Sequence, residues 1–157
     1  MSFLLRSIKP ADKPQLMELL RNTPEFEPFE IPVAEEIIES SYNEPGQYYS
    51  TIVAEIGTAV KGFVCFGHTP LTVATWDIYW MAVAQDKRGL GIGRALLNKV
   101  EERIVSAGGK LVLVETSSKP NYLNTRRFYR HSGYKRIARI VDFYSPKDHL
   151  LILEKRF

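Results

Sequence analysis

The apolar positions of the chain fall into short periodic segments separated by Gly, Pro and acidic residues. Phe3 to Ile8 predicts a first strand, and Pro10 to Arg21 a helix with Leu16, Leu19 and Leu20 on one face. A Pro- and Glu-rich loop, Thr23 to Pro32, leads to a second helix over Val33 to Tyr42 that turns Ile37 and Ile38 inward. Gly46 closes that region, and Tyr48 to Glu55 and Lys61 to His68 predict a hairpin across Gly57. Thr72 to Val83 is a further strand. Its last part, Ile78 to Val83, is apolar, aromatic and β-branched and predicts a buried segment.

After the polar link Ala84 to Lys87 comes Arg88-Gly89-Leu90-Gly91-Ile92-Gly93-Arg94. From there Ile92, Leu96, Val100 and Ile104 recur at helical spacing, with Leu97 and Val105 alongside, predicting a helix over Gly91 to Ala107 that Gly108-Gly109 stops. Leu111 to Thr116 predicts a short strand, and Tyr122 to Ser132 a helix stopped by Gly133. Lys135 to Tyr144 and His149 to Glu154 predict two final strands joined around Pro146. The order is βααβββαβαββ, a mixed α/β (α+β) class. With no repeat, linker or low-complexity tract, residues 1–157 are expected to form a single domain.

The glycines stand at the mouth of a helix. Free backbone N–H groups and the positive end of the helix dipole favour a phosphate there, and missing side chains at 89, 91 and 93 allow close approach. The Walker pattern fails, because no Gly-Lys-Ser/Thr follows. The dinucleotide fingerprint fails too, because the sixth place from Gly89 is Arg94. Arg-x-x-Gly-x-Gly fits, filled by Arg88, Gly91 and Gly93. The alternative is a tight strand-to-helix turn without a ligand.

A hydrophobic fraction of 45% and a charged fraction of 25% are ordinary for a globular chain. Charge is uneven: residues 1–60 hold four basic and ten acidic side chains, and residues 61–157 hold seventeen basic and eight acidic, so −6 faces +9. The basic part contains the glycine loop and suits an anionic ligand. The acidic part gathers in Glu25, Glu27, Glu30, Glu35, Glu36 and Glu39, which form either a solvated face or a field that attracts a cationic amine. The basic residues are scattered, so no nucleic-acid partner is expected.

The lone Cys65 lies in an apolar run and is expected to be a buried structural thiol. His68, His131 and His149 show no ligand spacing, so no metal is assigned. No apolar run reaches membrane-spanning length, and Arg6 interrupts Phe3-Leu4-Leu5 too early for a signal peptide. A cytoplasmic location and no membrane association are expected.

The Arg88 to Gly93 motif resembles the coenzyme A pyrophosphate loop of the GCN5-related N-acetyltransferase (GNAT) family. A second motif supports the resemblance: Thr125 to Tyr134 looks like the family's helix ending in Phe-Tyr (Phe128-Tyr129) and a Gly-aromatic pair (Gly133-Tyr134). The element order is similar to the GNAT fold over nearly the whole chain, which implies a mostly antiparallel central sheet flanked by helices. The resemblance implies acetyl-CoA as co-substrate, with the backbone of Met81, Ala82 and Val83 along the pantetheine arm. The amides of Arg88, Gly89, Leu90, Gly91, Ile92, Gly93 and Arg94 are implied for the pyrophosphate.

Tyr129 matches the family's general acid near the coenzyme sulfur; its alternative is a tyrosine packed on the core. Asp77 sits six residues before Val83, where several members carry a glutamate that deprotonates the amine. Its alternative is a strand-end residue facing solvent or pairing with an arginine. The sequence departs from the family at Tyr122, where many members place an asparagine; Asn121 and Asn124 are nearby. Arg126 and Arg127 are candidates for the adenosine 3′-phosphate or solvated helix arginines.

Three functional readings follow. The first is acetyl transfer to a primary amine of a small cationic or amino compound, by direct attack in a ternary complex. The second is acetylation of a protein N-terminus or lysine. The third is a non-catalytic acyl-CoA-binding module. The terminal run His149 to Leu153 serves either a homodimer or the core.

Overall fold

The computed structural model describes residues 2–157, and its elements follow the predicted order. Strand β1 (Leu4–Ser7) leads through a single turn at Pro10–Asp12 into helix α1 (Lys13–Arg21). Another turn at Pro28–Glu30 runs directly into helix α2 (Ile31–Asn43). Strands β2 (Ser50–Ile56), β3 (Ala59–His68) and β4 (Thr75–Val83) precede the glycine loop. Helix α3 (Ile92–Ser106), strand β5 (Leu111–Ser117), helix α4 (Leu123–His131) and strands β6 (Lys135–Ser145) and β7 (Asp148–Arg156) complete the chain.

The seven strands form one sheet in the order β1-β2-β3-β4-β5-β7-β6. Every neighbouring pair is antiparallel except β4 and β5, which are parallel. That single parallel pair requires a crossover, and α3 supplies it. Helix α3 packs on one face, where Ile92, Leu96, Val100 and Ile104 are at most 1% exposed. Each such burial stabilises the fold by about 1.5–3 kcal/mol. On the other face α1 and α2 bring Leu16, Leu20 and Ile38 against Val53, Phe63 and Cys65. Covered on both faces, β2 and β3 carry uninterrupted buried runs rather than alternation.

Several expectations change. The loop predicted up to Pro32 ends earlier, because Pro32 occupies the first turn of α2, where its missing N–H costs no hydrogen bond. Strand β4 begins at Thr75, after a turn in which the Thr72 hydroxyl donates to the Thr69 carbonyl. Ile78 to Val83 is not uniformly buried: Tyr79 is exposed and Trp80 and Met81 are half-buried. Val105 faces solvent instead of the core. The run His149 to Leu153 lies on β7, an inner strand paired on both sides. Leu150, Leu151 and Leu153 are core residues, so the exposed sheet edge is β6 rather than this run. Cys65 is fully buried and accepts a hydrogen bond from the Thr51 hydroxyl at 3.1 Å, and burial pushes its thiol up to about 12. It is an inert core residue.

Candidate active site

Strands β4 and β5 pair over only four residues, Thr75↔Leu111 to Ile78↔Val114. Opposite Cys65 and Phe66, β4 carries one extra residue, Tyr79, as a β-bulge. Past it, β4 stays with β3 while β5 continues along β7, pairing through Ser117. The two parallel strands therefore part, and the backbone of β4 from Tyr79 onward has no partner on the β5 side.

Two clefts meet at this opening. The first, of about 590 Å³, runs along Met81, Ala82 and Val83, past the glycine loop, to Phe128 and Tyr129 on α4. The second, of about 520 Å³, lies over Asp77, Tyr79 and Glu115 under the segment Glu25 to Val33. Both volumes suit small-molecule or cofactor sites. Glu25, Phe26, Met81, Tyr122, Thr125 and Tyr129 line both clefts and so form the junction.

The glycine loop forms the far wall of the first cleft. Gly89 and Gly91 have φ of +80° and +86°, a left-handed conformation that side chains resist. Gly91 caps α3, and the first intrahelical bond is Ala95 N–H to the Gly91 carbonyl at 3.0 Å. By helix geometry the N–H groups of Ile92, Gly93 and Arg94 are left pointing out of the helix end, where an anion is favoured. Gly93 has no left-handed φ, and a Cβ there would sit at ordinary contact distance from Met81 and Phe128, 3.5 and 3.6 Å, so the first turn of α3 packs beside β4 and α4. Leu90 is largely exposed and does not line the cleft.

Tyr129 stands at the junction, 4% exposed. Helix α4 ends in a left-handed Gly133, with Tyr134 N–H bonded to the Tyr129 carbonyl at 3.0 Å and Gly133 N–H to the Arg130 carbonyl at 3.1 Å. This cap folds Tyr134 back against Tyr129, with ring centroids 5.3 Å apart in an edge-to-face arrangement. The Tyr134 hydroxyl donates to Glu101 at 2.8 Å, and Lys155 pairs with the same carboxylate at 2.9 Å. The Tyr129 hydroxyl itself has only a weak contact, donating to the Met81 sulfur at 3.9 Å. Burial, with the Glu101 charge behind it, raises the phenol well above its ordinary range, so it keeps its proton at neutral pH.

Asp77 lies on the floor of the second cleft and does not line the first. Its Oδ2 accepts from the Thr69 hydroxyl at 2.5 Å and, more weakly, from the Tyr79 hydroxyl at 3.4 Å. The acidic segment divides. Glu35 and Glu39 pair with Lys13 on the outer side of α2, and Glu36 faces solvent. Glu25, Glu27 and Glu30 line the second cleft, together with Asp148 from β7. Burial raises the Glu30 carboxyl, although the Glu27 N–H donates to it at 2.6 Å. Ser117 donates to Asp148, and Lys119 pairs with both Asp148 and Glu27. Lys119 is the one cationic side chain among these lining residues.

Other residues take roles that spacing did not show. Arg88 reaches back rather than toward the loop amides: its Nε donates to the Val83 carbonyl at 3.2 Å, and it pairs with Glu25 at 3.3 Å. Arg126 donates through one guanidinium nitrogen to the carbonyls of Ser117 and Lys119 at 2.8 and 2.9 Å, which ties α4 to the end of β5. Arg127 does not line the cleft, whereas Asn124 and His131 do. Tyr122, the residue at which the sequence departs from the resembled pattern, donates to the Glu25 carbonyl at 2.8 Å and so closes the junction. Among the described residues no group of three or more His, Cys, Asp or Glu side chains could hold a metal, and no helix is long and apolar enough to cross a membrane.

Comparison with known proteins gives the context of this geometry. Residues 47–136 match the model of the acetyltransferase (GNAT) domain. A structure described as a GNAT-family acetyltransferase from Desulfovibrio desulfuricans is 32% identical, covers 99% of each chain and superposes with a TM-score of 0.91. An aminoglycoside 6′-N-acetyltransferase complexed with coenzyme A is 19% identical, with a TM-score of 0.77 over 98% of this chain and 96% of its own. A ribosomal-protein-alanine N-acetyltransferase from Brucella melitensis is 20% identical, with a TM-score of 0.78 over 98% and 99%. The last two share the fold alone. No curated protein gives a significant match.

Proposed function

The chain belongs to the GNAT acetyltransferase family, and from that premise we propose that it transfers the acetyl group of acetyl-CoA directly to a primary amine of a small cationic compound, with both substrates bound at once. The observation that carries this reading is the meeting of two clefts at Tyr129, one ending in helix amides and the other lined by carboxylates. A phosphate-bearing ligand suits the first and an ammonium suits the second. One connected sheet runs through all seven strands, which supports residues 1–157 as one catalytic domain.

The chemistry divides among this chain's residues as follows. The pyrophosphate takes the amides at Gly91 to Arg94, and the acyl-bearing arm lies against the unpartnered backbone of Met81 to Val83. The amine enters from the acidic cleft and gives its proton toward Asp77, directly or through water. Its lone pair forms the C–N bond at the thioester carbon, and the oxygen's new charge is met by a backbone N–H of β4. The C–S bond then breaks, the departing thiolate takes the proton of the Tyr129 phenol, and the surplus proton of the newly bonded nitrogen returns the phenolate to its neutral form. A binding module needs only the first cleft. A buried, protonated phenol at the junction favours an enzyme.

Calorimetric titration with acetyl-CoA, CoA and ATP, followed by acetylation assays against polyamines, amino acids and peptides, tests this reading. Micromolar binding of both coenzyme forms but not ATP, with turnover of small amines, is expected. Turnover of peptides alone overturns the acceptor assignment, and absence of coenzyme binding overturns the whole.

A further inference from the structure

Asp77 stands on β4 opposite Gly67 of β3, so no side chain lies directly across from it. Packing requires that glycine, because a Cβ there would run into the Tyr48 carbonyl. On the same face, two residues further and just past the end of β3, comes Thr69. Its hydroxyl donates to Asp77 Oδ2 at 2.5 Å, whereas the Tyr79 hydroxyl reaches that oxygen only weakly, at 3.4 Å. The other oxygen, Oδ1, accepts no hydrogen bond among the described residues. It is not one of their buried unpartnered atoms either, so solvent reaches it.

The turn that carries Thr69 is held by hydrogen bonds rather than by packing. The Thr69 N–H donates to the Thr75 carbonyl at 2.8 Å, which extends the β3–β4 ladder by one rung. The Thr72 hydroxyl donates to the Thr69 carbonyl at 2.8 Å, and the Thr72 N–H to the same carbonyl at 3.3 Å. At the tip Leu71 has a φ of +66° and is fully exposed, as is Val73. A bulky side chain resists that conformation, and here it gains no burial in return. The turn therefore keeps a strained, unburied tip while fixing Thr69 through both its N–H and its carbonyl.

From this geometry we propose that Thr69 is the positioning residue for Asp77, holding its Oδ2 so that Oδ1 is the oxygen that takes the acceptor's proton. The proposal rests on Asp77 acting as the base, as argued above. A proton moves only over hydrogen-bond distance, so the rotamer of the carboxylate decides whether an oxygen meets it. A short hydrogen bond to a charged acceptor is strong enough to select that rotamer. In the step itself an N–H proton of the ammonium passes to Oδ1, directly or through water. The electron pair of that bond stays on nitrogen as the lone pair that attacks the thioester carbon. Thr69 gives up no proton, and no residue from His68 to Thr75 lines either cleft.

Kinetics of Thr69→Val, Thr69→Ser, Asp77→Asn and the double variant Thr69→Val/Asp77→Asn test it. The substrates are acetyl-CoA and whichever of spermidine, L-lysine and a trialanine peptide the unmodified protein turns over fastest. Valine keeps the shape of threonine and loses the hydroxyl. Thr69→Val is expected to lower kcat about tenfold with KM for acetyl-CoA unchanged, and Thr69→Ser to stay within about twofold. In the Asp77→Asn background Thr69→Val should change kcat by less than about twofold, because the group it orients has gone. An unaltered kcat in Thr69→Val, an equal loss in both backgrounds, or Thr69→Ser as slow as Thr69→Val overturns the proposal and leaves the acetylation reading intact. Full kcat in Asp77→Asn removes the base and the role of Thr69 with it. Absence of turnover with all three acceptors overturns the acetylation reading, and this proposal falls with it.

Discussion

Tyr129 owes its position to residues that line neither cleft. The left-handed Gly133 turns the chain, Tyr134 packs edge-to-face on Tyr129, and Glu101 with Lys155 anchors Tyr134. Removing only the hydroxyl leaves that packing intact, because the phenol oxygen has just a weak contact with Met81. Tyr129→Phe is therefore expected to lower kcat by about ten- to a thousandfold, with coenzyme affinity and melting temperature nearly unchanged. Steady-state kinetics beside a coenzyme titration checks this, and an unaltered kcat removes Tyr129 from the mechanism. At this scale the motif Phe128-Tyr129 with Gly133-Tyr134 was legible in the sequence. The tie of Thr69 to Asp77 was not, because a threonine beside a proline in a turn looks like ordinary loop polarity until the register of β3 and β4 is known.

Among the elements, the glycine loop and α3 form the unit most directly testable. Gly91 holds a φ of +86° at the helix cap, with no atom near the place a Cβ would occupy. An added methyl meets conformational strain but no clash. Gly91→Ala should cost about 1–2 kcal/mol, or a few degrees of melting temperature. Gly91→Glu carries the same backbone strain and adds a negative charge beside the helix amides. It should abolish coenzyme binding in a calorimetric titration that Gly91→Ala still passes; equal affinity of the two variants would remove the phosphate from this loop. The four-residue spacing of Ile92, Leu96, Val100 and Ile104 made α3 readable. The start of α2 was less so, since a loop rich in Pro and Glu hides a helix whose first turn tolerates Pro32. The partial exposure of β4 was also hidden, because an apolar strand reads alike whether a partner covers it or leaves it open.

Across the whole molecule, a partly buried ion-pair cluster ties the first strand to the rest. Arg6 on β1 makes a two-pronged contact with Asp12 at 2.8 Å and also reaches Glu55 on β2 at 2.7 Å. Burial by itself would raise the Asp12 carboxyl. The Arg6 guanidinium and the Lys9 N–H more than offset that and hold it below its ordinary value of 3.8. A depressed carboxyl gives stability that is present at neutral pH and lost as pH falls below about 4 through the folded-state value. Asp12→Asn is expected to destabilise the fold by about 2 kcal/mol at pH 7, with the gap to the unmodified protein closing below pH 4. Urea midpoints at pH 7, 4 and 3 measure it, and a gap that stays constant would show that the carboxylate's charge plays no part.

By itself the sequence determined the order of elements, the glycines at the mouth of α3 and the aromatic end of α4, and these carried the family resemblance. All are local features, set by side-chain periodicity and by the backbone freedom of glycine within a few residues. Only the tertiary structure decided that β4 and β5 part after Ile78 and Val114, that Arg88 turns to Glu25, and that Asp77, Glu115 and Asp148 share one cleft with Tyr129 at its edge. These depend on which strands pair and where a bulge interrupts the pairing. Such choices join residues tens of positions apart, and no local pattern records them.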